Sequence, residues 1–237
     1  TEMYSAGIDR LTHQPLSFSV SETTEGVHIH IIDAELMGKG EKEKKDLYIE
    51  GVQNNGIINH YEYIINSEGT IEIRHVLKPE GKMPLWFPRI GLTLTVSDAL
   101  DQVKWYGRGP QENYPDRKTG YPMGIYASTV QAMYEPYLMP QDYGLRTDVR
   151  WLQLTTDKGI GLQFKMNEWF NFNIYPYSTD NLTKAMYTYQ LQKQKGMTLN
   201  LDYATTGVGC TARGVFGAYK AMPQEYRRTI SIRPMMK

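Results

Sequence analysis

The sequence has few of the features that several common kinds of site require. It contains a single cysteine, Cys210, in 237 residues, which excludes an internal disulfide and a cysteine-rich zinc site. Lys and Arg together number 26, as do Asp and Glu, so there is no basic excess of the kind that binds nucleic acid or an anionic membrane surface. No apolar run approaches the roughly 20 residues that span a bilayer. The sequence therefore predicts neither a nucleic-acid nor a membrane partner.

Helical patterns are also scarce, and the dominant period is that of β-structure. Apolar and polar residues alternate in segments 26–33, 60–65, 70–77, 89–96, 149–156, 160–166, 187–192, 197–203 and 227–234. Turn residues at 66–69, 157–159 and 193–196 predict three hairpins. The best helical signal is the short segment 97–103, where Ser97 is a candidate cap. About a dozen strands without a break in composition predict one all-β domain over residues 1–237, a large antiparallel sandwich.

The histidines offer one candidate metal pair. His28 and His30 lie two apart on a predicted strand and so share one face, where both could ligate a metal. No third ligand lies nearby at a recognisable spacing, and packing against the neighbouring strand is the favoured interpretation. We therefore expect no metal site in this chain.

The segment GRGPQENYPDR (107–117) is the least ordinary stretch of the chain. Glycoside hydrolysis needs two carboxylates, one of them protonated, and Glu112 and Asp116 are the local candidates. Pro115 disfavours a helix that would bring them together. Because Arg108 and Arg117 lie alongside, we expect both acids to be ion-paired and ionised. The segment therefore predicts a braced structural corner.

The glycine-rich segment TTGVGCTARGVFG (205–217) has a different character. Its four glycines among small residues predict a flexible surface loop between two strands, the usual place for ligand contacts. Cys210 lies in this segment, but no partner base is evident, so we do not expect it to act as a nucleophile.

Three segments in this order and spacing carry a resemblance to a known family: GRGPQENYPDR (107–117), PYLMPQDYGLRTDVRWL (136–152) and LNLDYATTGVG (199–209). They closely resemble the C-terminal domain of large bacterial β-galactosidases of glycoside hydrolase family 2. The same domain forms much of the small subunit in two-chain versions of that enzyme. The match runs from roughly residue 15 to the end of the chain.

The resemblance implies a fold, an activity and a set of partners. The fold is the galactose-mutarotase-like supersandwich, here lacking its first strands, and the edge exposed in that way would favour a homo-oligomer. The catalytic glutamates of the family lie in a separate TIM-barrel domain, which becomes the expected partner of this chain. The chain is then a fragment of a larger β-galactosidase, acts on terminal β-D-galactosides only as an accessory domain, and is inactive alone. It needs no cofactor, since any Mg or Na of the parent enzyme would lie elsewhere, and its bacterial compartment, cytoplasm or periplasm, stays open.

The resemblance also assigns roles to residues. In the best-studied enzymes of this type, a Trp from the glycine-rich loop stacks on the sugar in the aglycone position. Here the corresponding position is near Gly214 and the loop has no Trp. Either Arg213 or Phe216 contacts the aglycone, or the parent enzyme lacks that platform. The residues expected to be structural, rather than catalytic, are Arg108, Glu112, Asn113, Tyr114, Asp116, Arg117 and Arg146.

Two other functions stay open. A stand-alone carbohydrate-binding module would use aromatic faces such as those of Tyr106, Tyr137 and Trp169. An aldose epimerase (mutarotase) would need a histidine and a carboxylate converging on one face of the sheet. The histidines carry no such signature in the sequence, which disfavours the epimerase.

Overall fold

The computed structural model describes residue 8 and residues 11–37, 55–209 and 214–236. Regular structure in these ranges is almost entirely antiparallel β-sheet, which confirms the predicted all-β class. The strands of the described ranges are β1 (Thr12–Thr23), β2 (Gly26–Leu36), β3 (Gly56–Ile65), β4 (Ile71–Glu80), β5 (Arg89–Val96), β6 (Gln102–Arg108), β7 (Met123–Thr129), β8 (Arg146–Thr155), β9 (Gly161–Tyr175), β10 (Met197–Thr205) and β11 (Tyr226–Met235).

Contacts within the chain group into two compact units. The first contains Thr1–Pro88 and Ala221–Ser231, and the second contains Arg89–Lys220 and Ile232–Lys237. Strand β11 has residues in both units. A single sandwich domain over the whole chain stays a prediction.

The first unit contains an antiparallel meander. Strand β1 pairs with β2, β2 with β3 and β3 with β4. The hairpin between β3 and β4 was predicted from its turn residues, and the Asn66 side chain closes it by accepting the N–H groups of Glu68 and Thr70, each at 3.0 Å. The register places Glu62 of β3 directly opposite His30 of β2. Apolar side chains of β2, β3 and β4 are buried: Ala34, Leu36, Ile57, Ile64, Ile73 and Leu77.

The second unit has the strand order β7-β6-β8-β9-β10-β5. Its core shows why these segments form strands, because alternate residues are buried: Val103 and Trp105 of β6 lie inside, whereas Lys104 and Tyr106 are exposed. Trp105 contacts the ring of Phe172 edge-on, with the centroids 5.9 Å apart. Large side chains of β8, β9 and β10 complete this core: Leu152, Leu154, Phe164, Phe170, Ile174, Leu199 and Leu201.

One short helix, α1 (Thr179–Lys184), follows β9. Its N-cap is Ser178, whose hydroxyl accepts the Asn181 N–H at 3.1 Å, and its last turn carries Lys184, paired with Asp180 at 2.8 Å. The sequence analysis missed this helix because six residues are too few for a helical period to show. In the described ranges no helix has both the length and the apolar composition needed to cross a membrane.

Two predictions of secondary structure were wrong. The segment 187–192 is not the first strand of a hairpin, because Thr188–Gln190 forms a 3₁₀ turn and β10 pairs with β5 and β9 instead. The Gln190 side chain stabilises the turn by accepting the N–H groups of Met186 and Tyr187, at 2.7 and 3.1 Å. The segment 97–103 is not helical either: Ser97 caps a single turn, as predicted, but β6 then begins at Gln102.

Candidate functional site

Glu112, in the unusual segment 107–117, is a buried carboxylate surrounded by donors. One oxygen accepts the Arg117 guanidinium at 2.7 Å and the hydroxyl of Tyr137. The other accepts the backbone N–H of Gly144 at 2.9 Å and the Tyr114 hydroxyl at 3.3 Å. The prediction that Glu112 is ion-paired with an arginine of this segment is therefore confirmed, and the partner is Arg117.

The surroundings of Glu112 are suited to structure rather than proton transfer. Burial, and to a smaller extent the Glu112 charge, raises the pKa of the Tyr114 hydroxyl far above its ordinary value. This hydroxyl therefore stays protonated and donates a hydrogen bond to Glu112. Burial and the hydrogen bond to Glu112 likewise raise the pKa of Tyr137. With two donors on each oxygen, Glu112 has no lone pair directed at open solvent. Its geometry matches that of a structural acceptor that joins segments 107–117 and 136–144.

The partner of Arg108 differs from the predicted one. Its Nε donates to Asp148 at 2.5 Å, and its Nη1 donates to the carbonyls of Lys118 and Tyr121, at 3.1 and 2.9 Å. Lys118 Nζ reaches the same Asp148 carboxylate at 2.7 Å. Although burial acts to raise it, the two cations hold the pKa of Asp148 below its ordinary value. Arg108 was expected to pair with an acid of its own segment, but its partner Asp148 lies 40 residues further along the chain.

Asn113 and Arg146 connect the same segment to the start of β8. The Asn113 side-chain oxygen accepts the Thr147 N–H at 3.1 Å, and the Asn113 N–H donates to the Leu145 carbonyl at 2.8 Å. Arg146 is buried, donates to the Gly144 carbonyl at 2.9 Å and lies 5.5 Å from the centroid of the Trp105 ring. Burial lowers the pKa of Arg146 to about 10, so it stays charged at neutral pH. The segments 107–117 and 136–152 therefore form one hydrogen-bonded unit.

Asp116 contacts a different part of the chain. Its two carboxylate oxygens accept the backbone N–H groups of Val208 and Gly209, at 3.0 and 2.7 Å. The expected ion pair between Asp116 and a neighbouring arginine was wrong, because in the described residues this carboxylate binds backbone donors 92 and 93 residues further along the chain. A Cβ at Gly207 would lie 2.3 Å from the Asp116 Cγ, so glycine is needed for this close approach.

These contacts fix the base of the glycine-rich loop, which we define as residues 207–219. The Gly207 N–H donates to the Tyr219 carbonyl at 2.9 Å, so the two ends of the loop meet. Phe216 lies on this loop with 68% of its surface exposed, and Gly214 has open space around it. Arg213 and Cys210 lie outside the described residues. Substrate contact by Arg213, Gly214 or Phe216 stays a prediction.

A buried polar network that the sequence analysis missed lies on β5, β9 and β10. Arg89 is at its centre and donates to Asp202 at 2.8 Å, to Asn173 at 3.3 Å and to Asp142 at 3.4 Å. Asn200 and Tyr175 extend the network: the Asn200 amide donates to Asn173 at 2.8 Å, and the Tyr175 hydroxyl donates to Asp142 at 3.0 Å. The sequence signal was that polar residues of the network alternate with apolar residues in NFNIY (171–175) and LNLDY (199–203).

The electrostatics of this network do not favour acid/base catalysis. Burial raises the pKa of Asp202 to about 6, although Arg89 opposes the shift. A carboxyl with such a pKa could exchange protons near neutral pH, but Asp202 is almost completely buried and its acceptor oxygen is shared between Arg89 and Thr205. Asp142 is more exposed, and a single oxygen of it accepts from Arg89, Asn173 and Tyr175. The network therefore positions three strands and the segment around Asp142.

A cavity adjoins this network. Its volume is about 270 Å³, and its wall includes Asp142 and Tyr175 of the network. The remainder is lined by Pro140, Gln141, Thr179, Leu182 and Thr183. The cavity thus lies between the 136–144 segment and helix α1 and has room for a small polar ligand.

The chain is similar to known proteins over nearly its whole length. Residues 6–232 match the family model described as beta galactosidase small chain. A β-galactosidase from Priestia megaterium is 38% identical over 147 residues, which are 62% of this chain and 14% of that protein. A β-galactosidase from Vibrio cholerae is 31% identical over 207 residues, which are 87% of this chain and 18% of that protein. The chain therefore spans less than a fifth of the length of either relative.

Among solved structures, a GalM/aldose epimerase homologue from C. elegans matches with a TM-score of 0.44 and 10% identity. The match covers 93% of this chain and 69% of that one.

Proposed function

The chain belongs to the beta galactosidase small chain family, and on that premise we propose that it is an accessory domain of a β-galactosidase whose loop 207–219 forms part of the active-site wall. In this proposal hydrolysis of terminal β-D-galactosides is an activity of the complete enzyme. The two catalytic glutamates belong to a TIM-barrel domain outside this chain, which is the partner of the accessory domain.

The observation that carries the proposal is the way in which Asp116 holds the loop. A loop that contributes to an active site must be held in one geometry, since misplacement of a contact by about 1 Å can cost a large factor in rate. The carboxylate of Asp116 fixes the backbone of Val208 and Gly209, and the segment that contains Asp116 is itself fixed through Glu112 and Asn113. The unusual segment 107–117 then acts as the support of the loop and not as the catalytic site.

The exposed end of the loop is suited to contact with a sugar or its aglycone. Phe216 offers an aromatic face that is 68% exposed and has no role in the core of its unit. Aromatic faces stack on the apolar faces of sugars and on aryl groups. Phe216 thereby takes the part that a Trp plays in the enzymes that the sequence resembles.

A role in assembly is supported by the exposure of strand β1. Phe18 and Val20 lie two apart on this strand, so they share one side of it, and both are exposed, as is Leu16 at the bulge that precedes them. An apolar row on an edge strand normally packs against another surface. We propose that the rest of the enzyme, or a second subunit, covers this row.

A stand-alone carbohydrate-binding module is less well supported. The Arg150 guanidinium lies 3.7 Å from the ring centroid of Trp169 and occupies one face of that ring. The Tyr137 hydroxyl is used by Glu112. Titration of the isolated chain with methyl β-galactoside in a calorimeter tests this alternative, and binding in the millimolar range or tighter would favour it.

The main proposal is tested with the isolated chain, purified from a host without a β-galactosidase of its own. We expect no turnover of a chromogenic β-galactoside above the buffer rate and no acceleration of galactose mutarotation in a polarimeter. A complete β-galactosidase and an aldose epimerase serve as positive controls. Hydrolysis by the isolated chain would contradict the proposal, and accelerated mutarotation would favour the epimerase.

A further inference from the structure

The first unit brings together three side chains that the sequence analysis did not connect. His28 and His30 lie two apart on β2 and project from the same face of the strand. Glu62 of β3 is paired directly with His30 in the register, so its side chain lies on that face beside both histidines. Glu62 is a third potential ligand that spacing along the sequence could not reveal, since it belongs to another strand.

The separations within this cluster are close to those of a metal site. The Glu62 Oε1 atom is 3.5 Å from His28 Nδ1 and 4.0 Å from His30 Nε2. One ligand atom from each of the three residues lies within 4.8 Å of the other two. Ligands bound tetrahedrally at about 2.0–2.1 Å from an ion lie about 3.3 Å apart. Small rotations of the three side chains would therefore bring all three ligand atoms within bonding distance of one ion.

Glu62 is held in the orientation that a ligand needs. Its second oxygen, Oε2, accepts the Arg74 Nη1 at 3.0 Å, which leaves Oε1 directed at the histidines. Arg74 is fixed in turn by Glu72, whose carboxylate its Nε reaches at 2.8 Å. Although burial opposes it, the hydrogen bond and charge of Arg74 hold the pKa of Glu62 below its ordinary value, so the carboxylate is ionised. Metal-binding carboxylates are commonly held by such an outer hydrogen bond.

The histidines are available as ligands. The side chain of His28 is only 12% exposed, and the ring nitrogen that it directs at Glu62 is Nδ1. The 3.5 Å separation of its Nδ1 from Glu62 is longer than a good hydrogen bond. His30 is 50% exposed, which gives an ion a way in from solvent and leaves room for a water as a fourth ligand.

We propose that His28, His30 and Glu62 bind a divalent transition-metal ion of the zinc class and that this ion clamps β2 to β3. Two imidazoles and one carboxylate suit Zn²⁺ or Co²⁺, whereas Mg²⁺ and Ca²⁺ prefer oxygen ligands throughout. The site has no part in the proposed contact with galactosides, so it is tested independently of that function.

The experiment adds Zn²⁺ or Co²⁺ to the metal-free chain, purified without a histidine tag and carrying Cys210→Ser so that the thiol cannot bind the ion. Calorimetry is expected to show one Zn²⁺ per chain, and Co²⁺ is expected to give the visible absorption of a low-coordinate site. His30→Gln and Glu62→Gln should each weaken Zn²⁺ binding by about tenfold or more. The control is His60→Gln, because His60 is an exposed histidine of β3 outside the cluster.

Thermal melts keep these variants interpretable. His30 is half exposed, so His30→Gln should fold with an unchanged melting temperature in the absence of metal, and only the rise in melting temperature with Zn²⁺ should be lost. An absence of Zn²⁺ binding to the folded chain would overturn the proposal. It would equally be overturned if folded His30→Gln and Glu62→Gln bound Zn²⁺ as tightly as the His60→Gln control, or if Mg²⁺ competed equally with Zn²⁺.

Discussion

Asp116→Ala is the substitution that most directly tests how loop 207–219 is held in place. It removes an acceptor that binds the N–H groups of Val208 and Gly209, at 3.0 and 2.7 Å, and it leaves the Glu112 contacts intact. A hydrogen bond to a charged group contributes about 1.5–3 kcal/mol when it is shielded from water. Val208 is 52% exposed, so solvent competes for these donors, and about 1 kcal/mol for each bond is the better value.

The two bonds together then contribute about 2 kcal/mol, which corresponds to a change of about 30-fold in the equilibrium between the closed and open loop. Hydrogen exchange measures that equilibrium at single amides. We expect the protection of the Val208 and Gly209 amides to fall by about 30-fold in Asp116→Ala, whereas amides of β8 and β9 exchange as in the wild type. The melting temperature should fall by no more than about 8 °C for a chain of this size.

Asp157→Ala is the matched control, because Asp157 is an exposed carboxylate in the turn between β8 and β9. It should leave exchange at both loop amides unchanged. If Asp116→Ala folded normally and the Val208 and Gly209 amides kept wild-type protection, Asp116 would not be the support of this loop.

Three further predictions concern the loop support and the first unit. Gly207→Ala should reproduce the increase in exchange, because its Cβ would lie 2.3 Å from the Asp116 Cγ and displace the carboxylate. Glu112→Gln should lower the free energy of unfolding by about 3 kcal/mol, because it leaves buried donors without a charged acceptor. Calorimetry should then show a melting temperature lower by about 6–12 °C. An unchanged melting temperature with lost activity of the complete enzyme would contradict a structural role for Glu112. Burial lowers the pKa of His75 to about 4, so the folded chain resists its protonation and about 3 kcal/mol of stability should be lost between pH 6.5 and pH 4. Urea unfolding at the two pH values measures this loss. If His75→Asn lost as much stability between the two pH values as the wild type does, His75 would not be its source.

The fold could be predicted from the sequence wherever alternation marks a buried face. Segments 26–33, 60–65 and 70–77 are all strands, and in 70–77 the alternation marks a buried face, because Ile73, His75 and Leu77 are buried and Arg74 is exposed. Segment 187–192 also alternates, but Tyr187 and Tyr189 are exposed and stacked on each other, with ring centroids 5.5 Å apart. The alternation in segment 187–192 therefore reflects the contact between these two exposed rings and not a buried face of a strand.

The candidate site could be predicted only where the partners are close in sequence. Glu112 and Arg117 are five residues apart, and an ion pair of Glu112 with an arginine of its own segment was predicted. Asp116 binds backbone amides more than 90 residues away, and Arg89 reaches Asp202 across 113 residues. These contacts depend on which strands become neighbours and in which register, and a single sequence does not encode that information in any local pattern.

The role proposed for loop 207–219 is tested most directly in the complete enzyme to which we propose that this chain belongs. The specificity constant kcat/KM for an aryl β-galactoside is compared in wild type, Phe216→Ala and Asp116→Ala, with Ile160→Ala as the control for loss of an exposed apolar side chain in a turn. We expect kcat/KM to fall by about tenfold in Phe216→Ala and Asp116→Ala, since about 1.4 kcal/mol of contact with the aglycone is lost, and to stay unchanged in Ile160→Ala. Wild-type kcat/KM in both Phe216→Ala and Asp116→Ala would contradict the claim that loop 207–219 forms part of the active-site wall.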